Sequence, residues 1–221
     1  MQLRYSIKPV EIYRDSLDRI ESYKDSYVEQ KVDGFRTFIV KDNSQKFPEQ
    51  WDGKTSWIRN GNLFFLSRRD MKKGGPTSFG VSDEIVAAVN NLNLPDKTFL
   101  DGEWLERRTK EDNINECLFL FDCLWLDDIW KGELECFSRR KLLEDLTLGK
   151  TSPTLRIPQL ATSGFLNFYD HQKEISWTEG IVLKEISSTI PINLQGCVEN
   201  GRWQKCKWRT GDTGRTVRSN S

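Results

Sequence analysis

The sequence has little histidine, and this excludes most sites that depend on that side chain. Its single histidine, His171, cannot supply a metal centre or catalytic triad that needs several imidazoles. The five cysteines include no C-x-x-C pair, so neither a zinc site of that spacing nor a disulfide framework is expected. We interpret them as reduced thiols in an intracellular protein.

Long apolar runs and a signal sequence are also missing. Residues 1–10 contain no apolar core and no cleavage-site pattern. No segment stays apolar over the roughly 20 residues that a helix needs to cross a bilayer. The sequence therefore predicts no association with a membrane.

The sequence has no excess of charge of either sign. Its 33 basic residues are balanced by 33 acidic ones, so no overall field draws the molecule onto nucleic acid. Such binding must come from a local patch, and residues 201–221 provide a candidate. The basic residues of this stretch are Arg202, Lys205, Lys207, Arg209, Arg215 and Arg218. Asp212 is its only acidic residue, and a solvated polar tail is the alternative for the part beyond Arg209.

The length and the apolar pattern predict one large α+β domain. A chain of 221 residues can bury a proper core. Helices are predicted over 9–24, from Ser82 onwards and over 138–148. Strands are predicted over 27–40 on both sides of an Asp-Gly pair, and over 63–66, 98–105, 117–126, 180–184 and 202–208. The dominance of strands predicts antiparallel β-sheets flanked by helices.

Five short motifs at strand ends carry the candidate chemistry. They are Lys31-Val32-Asp33-Gly34-Phe35-Arg36, Asp101-Gly102-Glu103-Trp104, Phe121-Asp122, Glu179-Gly180-Ile181-Val182-Leu183-Lys184 and Lys205-Cys206-Lys207. Each alone has a plainer explanation: an Asp-Gly pair between strands is typical of a hairpin turn, for example. Taken together, one early lysine, two late lysines and several carboxylates beside glycines are expected to converge on a phosphate-bearing ligand.

A lysine in such a site could act as a nucleophile. The usual lysine pKa of about 10.4 leaves only roughly one amine in a thousand unprotonated near neutrality. Neighbouring cations lower a lysine pKa, and the activated amine can form a covalent intermediate. We expect Lys184, Lys205, Lys207 and a metal held by a carboxylate to favour the free amine at Lys31. The same cations would neutralise charge on a phosphate under attack.

The ordered motifs, together with Ser67-Arg68, resemble those of the covalent nucleotidyltransferase superfamily. That superfamily holds DNA ligases, RNA ligases and mRNA capping enzymes, and the resemblance extends over roughly residues 8–209. The stretch 121–127, the run Arg139-Arg140-x-x-Leu143 and the pair Glu179-Gly180 are similar to ATP-dependent DNA ligases. The resemblance implies the ATP-grasp-like nucleotidyltransferase fold of DNA ligases and mRNA capping enzymes.

The resemblance implies that residues 1–209 form the adenylation domain of an ATP-dependent DNA ligase. Such an enzyme forms a lysyl-AMP intermediate with ATP and Mg²⁺, transfers AMP to a 5′-phosphate and seals nicks in duplex DNA. Three alternatives remain at this stage. They are an RNA or mixed-strand ligase, a GTP-dependent capping-type guanylyltransferase, and a nucleotide-binding module without catalysis.

The resemblance also implies a catalytic set and a nucleic-acid contact. Lys31 is expected to attack the α-phosphate of ATP, while Lys205 and Lys207 grip that phosphate. Glu179 is expected to place the metal. Arg68 is expected to receive the 5′-phosphate of the nick, although the connection between Arg36 and Ser67 is longer than in compact ligases.

A second group of residues is expected to bind the nucleotide. Glu29 would read the adenine edge, through its backbone. Arg36 and Glu103 would hold the ribose hydroxyls. The adenine would lie between Phe121 and Val182. Lys184 is also expected to be a nucleotide-binding residue.

The end of the sequence leads to expectations about domains and partners. Residues 210–221 are expected to form a polar basic tail, and the OB-fold domain that usually follows in ligases is expected to be absent. The chain would then be an excised catalytic domain or a natural minimal enzyme. It is expected to be a monomer. A separate OB-fold or clamp-like protein is a possible partner. Its expected substrate is nicked duplex DNA, with RNA-containing strands left open. Its expected location is intracellular, in the cytoplasm or nucleoid, or in a host cell if the protein is viral.

Overall fold

A computed structural model describes residues 7–23, 25–44, 61–67, 77–106, 116–192 and 199–208. Arg68, the residue expected to receive the 5′-phosphate, lies outside these ranges. So does the predicted tail at 210–221. The described residues confirm the predicted class, an α+β fold with mostly antiparallel sheets flanked by helices.

The described residues form twelve strands and four α-helices. The strands are β1 Lys8–Ile12, β2 Ser26–Val32, β3 Phe35–Lys41, β4 Leu63–Ser67, β5 Thr77–Ser78, β6 Thr98–Leu105, β7 Cys117–Leu126, β8 Ile129–Trp130, β9 Leu155–Arg156, β10 Leu160–Ala161, β11 Thr178–Glu185 and β12 Glu199–Lys207. The helices are α1 Leu17–Tyr23, α2 Asp83–Asn91, α3 Cys136–Thr147 and α4 Phe165–Lys173, with a 3-10 turn at Arg14–Ser16.

The strands form two sheets. One has five strands in the order β1-β12-β11-β2-β10, and the other has the order β5-β4-β3-β6-β7-β8 with β9 beside β7. Only the pairs β1–β12 and β7–β9 are parallel among the described strands. The strands β3 and β4, consecutive in the described chain, pair side by side and antiparallel.

The Asp33-Gly34 pair is not a hairpin turn, although that was its simplest interpretation. β2 belongs to the five-stranded sheet and β3 to the seven-stranded one, so the chain crosses from one sheet to the other at this pair. The crossing brings the Lys31 end of β2 and the Arg36 end of β3 to the same place between the sheets.

The sheets and helices pack in layers. Helices α2 and α3 cover the outer face of the seven-stranded sheet, where the core includes Leu100, Leu118 and Leu143. Helices α1 and α4 cover the outer face of the five-stranded sheet. A third core, which includes Phe38 and Trp203, fills the space between the sheets. The inner faces of both sheets therefore meet, and polar side chains on these faces can share one site.

The predicted helix over 9–24 is wrong in its first half. Residues Lys8–Ile12 form β1, which pairs with β12, and a helix begins only at Leu17. Among the described residues, no helix is both long enough and apolar enough to cross a membrane.

Candidate active site

A pocket open to solvent lies between the two sheets, next to the apolar inter-sheet core, with which it shares Trp203. Successive strand residues point to opposite faces, so every second residue of a strand can face it. On β2 the side chains of Glu29 and Lys31 face it and Val28 packs against the helices outside, while Gln30 and Val32 also border the pocket. The residues that line the pocket are Pro9, Glu29, Gln30, Lys31, Val32, Arg36, Glu103, Phe121, Val182, Lys184 and Trp203.

One carboxylate links two of the motif lysines at one side of the site. Glu179 Oε1 lies 2.5 Å from Lys31 Nζ, and Glu179 Oε2 lies 2.9 Å from Lys207 Nζ. Burial alone would raise the pKa of Glu179, but the two lysines lower it below its usual value. Glu179 is therefore an anion that orients both ammonium groups.

A second carboxylate, Glu103, lies half-buried among the same charges. Burial raises the pKa of Glu103, and the nearby cations Lys31 and Arg36 offset this only in part. Glu179 and Asp101 contribute to the rise because they are negative. A carboxyl group in this position can accept a hydrogen bond from a ligand hydroxyl, as the ribose assignment requires.

Arg36 is held by a partner for which the sequence analysis assigned no role. Its Nε donates to Asp101 Oδ1 at 2.5 Å, and its Nη2 donates to Asp101 Oδ2. Asp101 is fully buried, so these two hydrogen bonds hold the guanidinium of Arg36 in a fixed orientation. The guanidinium carbon also lies 4.4 Å from the centre of the Phe121 ring. The ribose-binding and base-stacking candidates are thus in direct contact.

The remaining motif lysines also have carboxylate partners. Lys184 Nζ lies 2.6 Å from Glu29 Oε2, and Lys205 Nζ lies 3.7 Å from Glu11 Oε2 on β1. From the sequence, these lysines were expected to be cations that favour the free amine at Lys31. In the structure each cation is balanced by an acidic side chain, because strands distant in sequence bring Glu29 and Glu11 beside them.

Two motif glycines are required by close packing. A Cβ atom on Gly34 would lie 2.5 Å from the carbonyl oxygen of Trp104, which is backbone and cannot move aside easily. A Cβ atom on Gly180 would clash with the carbonyl oxygen of Cys206 on β12. The glycines beside Asp33 and Glu179 therefore let the strands approach closely enough to form the site.

The structure brings together nearly all the residues that the motifs predicted. Seven of them line the pocket: Glu29, Lys31, Arg36, Glu103, Phe121, Val182 and Lys184. Glu179, Lys205 and Lys207 are on the adjoining strands β11 and β12, with Val182 opposite Lys205 and Gly180 opposite Lys207. Arg68 alone cannot be placed, since it lies outside the described residues.

Sequence reasoning did not assign Trp203 or Pro9 to the pocket, and only Trp203 had a local signal. Trp203 lies two residues before Lys205 on β12, so the alternation that pairs Lys205 with Lys207 also places Trp203 on their face. Pro9 reaches the pocket from β1, which no local pattern indicated.

The chain matches a protein family described as the ATP dependent DNA ligase domain, over residues 8–207. Two curated relatives are the DNA ligases of Variola virus and of Vaccinia virus strain Ankara. Each is 23% identical to this chain, over 187 and 190 residues respectively. Each alignment covers 82% of this chain and 31% of the viral protein, so the chain spans about a third of the length of these relatives.

Solved structures of DNA ligases share this fold. The ligase domain of LigD from M. tuberculosis superposes with a TM-score of 0.59 at 19% identity, covering 91% of this chain and 59% of that one. A mycobacterial DNA ligase D complexed with ATP and MES gives a TM-score of 0.57 at 18% identity, covering 83% of this chain and 54% of that one. At such low identity the likeness concerns the fold.

Proposed function

Because the chain belongs to the ATP-dependent DNA ligase domain family, we propose that it uses ATP to adenylate itself at Lys31. It then transfers AMP to the 5′-phosphate of a nick in duplex DNA and seals that nick. The observation that carries this proposal is the contact of Lys31 with Glu179, beside Lys207, at the edge of an inter-sheet pocket.

The first step forms one bond and breaks another at the α-phosphorus of ATP. Lys31 leaves Glu179, gives a proton to solvent water and attacks. An N–P bond forms while the bond from the α-phosphorus to the bridging β-phosphate oxygen breaks, and pyrophosphate departs. In the next step the 5′-phosphate of the nick displaces Lys31 and takes the AMP. A 3′-hydroxyl then displaces AMP and closes the strand. Lys205 and Lys207 stabilise the negative charge of the α-phosphate in these steps.

The pocket supplies a separate surface for each part of the nucleotide. Phe121 and Val182 border the space for the base, and the backbone of Glu29 contacts the adenine edge. Arg36 and Glu103 bind the ribose hydroxyls. Lys184 completes the wall at the base end, where it pairs with Glu29.

Glu179 is the side chain proposed to hold Mg²⁺. The described residues contain no cluster of three or more His, Cys, Asp or Glu side chains that could form a metal cage. A single carboxylate suits Mg²⁺, which commonly binds through one or two carboxylates, water and substrate phosphates. Mg²⁺ bound there would supply positive charge beside the α-phosphate. Without a metal, the two oxygens of Glu179 hold Lys31 and Lys207.

The nucleic-acid contacts are proposed from the sequence. Arg68 would bind the 5′-phosphate, and the basic stretch from Arg202 onwards would contact the DNA backbone. Binding that rests on few phosphate contacts should weaken as salt concentration rises.

A pulse–chase experiment tests the proposal. We expect the chain, incubated with α-labelled ATP and Mg²⁺, to retain acid-labile label that moves to nicked DNA in the chase. Nicks with DNA or RNA on each side of the break identify the strand preference. Label from GTP as strong as from ATP would favour a capping-type enzyme, and reversible ATP binding without label would favour a non-catalytic module.

Replacement of the stacking ring is expected to weaken nucleotide binding. Stacking of a base on an aromatic side chain contributes about 1–3 kcal/mol. Phe121→Ala should therefore raise the KM for ATP in the labelling reaction by about 5-fold to 150-fold. Phe121→Tyr keeps the ring and serves as the matched control, with a KM near that of the unchanged chain. Equal KM values for the alanine and tyrosine variants would contradict the stacking role.

A further inference from the structure

A buried group of three charged side chains lies at the base end of the pocket. Glu29 Oε2 lies 2.6 Å from Lys184 Nζ, and Glu29 Oε1 lies 2.8 Å from Arg140 Nη1. The side chains of Glu29, Lys184 and Arg140 are only 2%, 3% and 4% exposed. Each oxygen of one carboxylate is thus held by a different cation.

Arg140 connects this group to two other parts of the fold. Its Nη2 donates to the carbonyl oxygen of Pro158 at 2.8 Å, and its Nε donates to Glu144 Oε1 at 2.8 Å. Pro158 shortly precedes β10, in which Leu160 pairs with Glu29. One guanidinium therefore fixes both the side chain of Glu29 and the segment that leads into its neighbouring strand.

Lys184 connects Glu29 to Phe121 and Trp203 in the wall of the pocket. Its ammonium donates to the carbonyl oxygen of Phe121 at 3.3 Å. It also lies 5.6 Å from the centre of the Phe121 ring and 4.7 Å from the Trp203 ring. If Glu29 moves, the ammonium that contacts both aromatic residues must move with it.

We propose that Arg140 is a positioning residue for the nucleotide base. Through Glu29, it holds Lys184 against Phe121 and Trp203, and so fixes the shape of the base site. This inference rests on the proposed function, because it names a determinant of the same pocket. The physical reason is that a buried carboxylate that loses one of two cations leaves an oxygen unsatisfied and must find a new arrangement.

Arg140→Lys tests this role with the smallest change. A lysine ammonium lacks the planar fork of arginine and cannot meet Glu29, Glu144 and Pro158 together. We expect the KM for ATP to rise about tenfold, as for a lost hydrogen bond to a charged group, while the rate at saturating ATP changes less than about twofold. The ratio of labelling from ATP to labelling from GTP should fall as well.

Glu144→Gln is the matched control, because it changes only the outer partner of Arg140. The side chain of Glu144 is 41% exposed. Its KM and base preference should equal those of the unchanged chain. A purely structural Arg140 would lower the melting temperature and leave the KM and the base preference unchanged, and that result would overturn the proposal. If Arg140→Lys fails to fold, the near-isosteric Glu29→Gln tests the same link, and an unchanged KM there would likewise overturn it.

The two proposals can fail separately. If the unchanged chain takes no label, the adenylation function fails. Calorimetric titration with ATP then still decides the role of Arg140, because it measures affinity without turnover. A tenfold weaker affinity in Arg140→Lys than in Glu144→Gln supports the positioning role, and equal affinities reject it.

Discussion

Lys31→Ala is expected to abolish self-labelling by ATP. No other side chain can replace the nucleophile in the same position, so the label should fall to the assay background, a loss of at least about a thousandfold. The variant should fold, because Glu179 keeps its ion pair with Lys207. It should also bind ATP, since Phe121, Arg36 and Glu103 are unchanged. The measurement is acid-labile label on the protein after incubation with α-labelled ATP and Mg²⁺.

Two further variants make this result specific. Lys31→Arg retains a cation beside Glu179 but has no nucleophilic amine at neutral pH, so it should also take no label. Lys8→Ala removes a half-exposed lysine of the edge strand β1 that pairs with Glu199 on β12, and this variant should be labelled normally. Label retained by Lys31→Ala would show that another residue carries the AMP, and the proposed chemistry would be wrong.

Local sequence signals predicted the strands and helix starts that depend on neighbouring residues. The predicted strands over 98–105 and 117–126 coincide with β6 and β7, because each is rich in aromatic and aliphatic residues and lies between polar segments. Ser82 was predicted to begin a helix, and its side chain accepts a hydrogen bond from the backbone nitrogen of Ile85.

Elements that depend on distant partners were not predictable in this way. β1 is a strand because it pairs with β12, more than 190 residues later, although its own sequence also suits a helix. α4 was missed because its aromatic residues favour strands. It forms because Phe165 and Tyr169 pack against the five-stranded sheet and Glu21 accepts hydrogen bonds from its first backbone nitrogens.

The same division applies to the candidate site. The motifs predicted which residues converge, because charged residues beside glycines at strand ends are informative locally. They did not predict that Lys205 pairs with Glu11 or that Arg140 reaches Glu29, since these contacts join separate elements. The run Arg139-Arg140 was recognised only as similar to ligases, and the structure gives the two arginines different partners.

Asp122 and Phe121 place a pocket side chain and a buried ion pair next to each other in one motif. Adjacent residues on β7 point to opposite faces, so Phe121 faces the pocket while Asp122 faces α3. Asp122 Oδ1 and Oδ2 accept from Arg139 Nε and Nη2 at 2.8 and 3.0 Å. Arg139 also donates to the carbonyl oxygens of Gly132 and Leu134. This buried pair fixes α3, and therefore Arg140, against the sheet that carries Phe121.

Asp122→Ala is accordingly expected to destabilise the protein strongly. The side chains of Asp122 and Arg139 are 2% and 0% exposed, and the carboxylate raises the pKa of Arg139 despite its burial. Removing the carboxylate leaves a buried cation without its counter-charge, which costs about 3–5 kcal/mol. Chemical denaturation monitored by tryptophan fluorescence measures the loss in the free energy of unfolding.

Comparison with two other variants separates burial of charge from loss of a contact. Asp170→Ala breaks the ion pair with Arg14, in which both side chains are about half exposed, and should leave stability nearly unchanged because solvent screens that pair. The double variant Asp122→Leu with Arg139→Met removes both buried charges and should recover much of the stability lost in Asp122→Ala. A loss below about 1 kcal/mol in Asp122→Ala, the range of exposed pairs, would show that Arg139 finds another partner or water. In that case the ion pair of Asp122 with Arg139 would not fix α3, and only Glu29 and Pro158 would hold Arg140 in position.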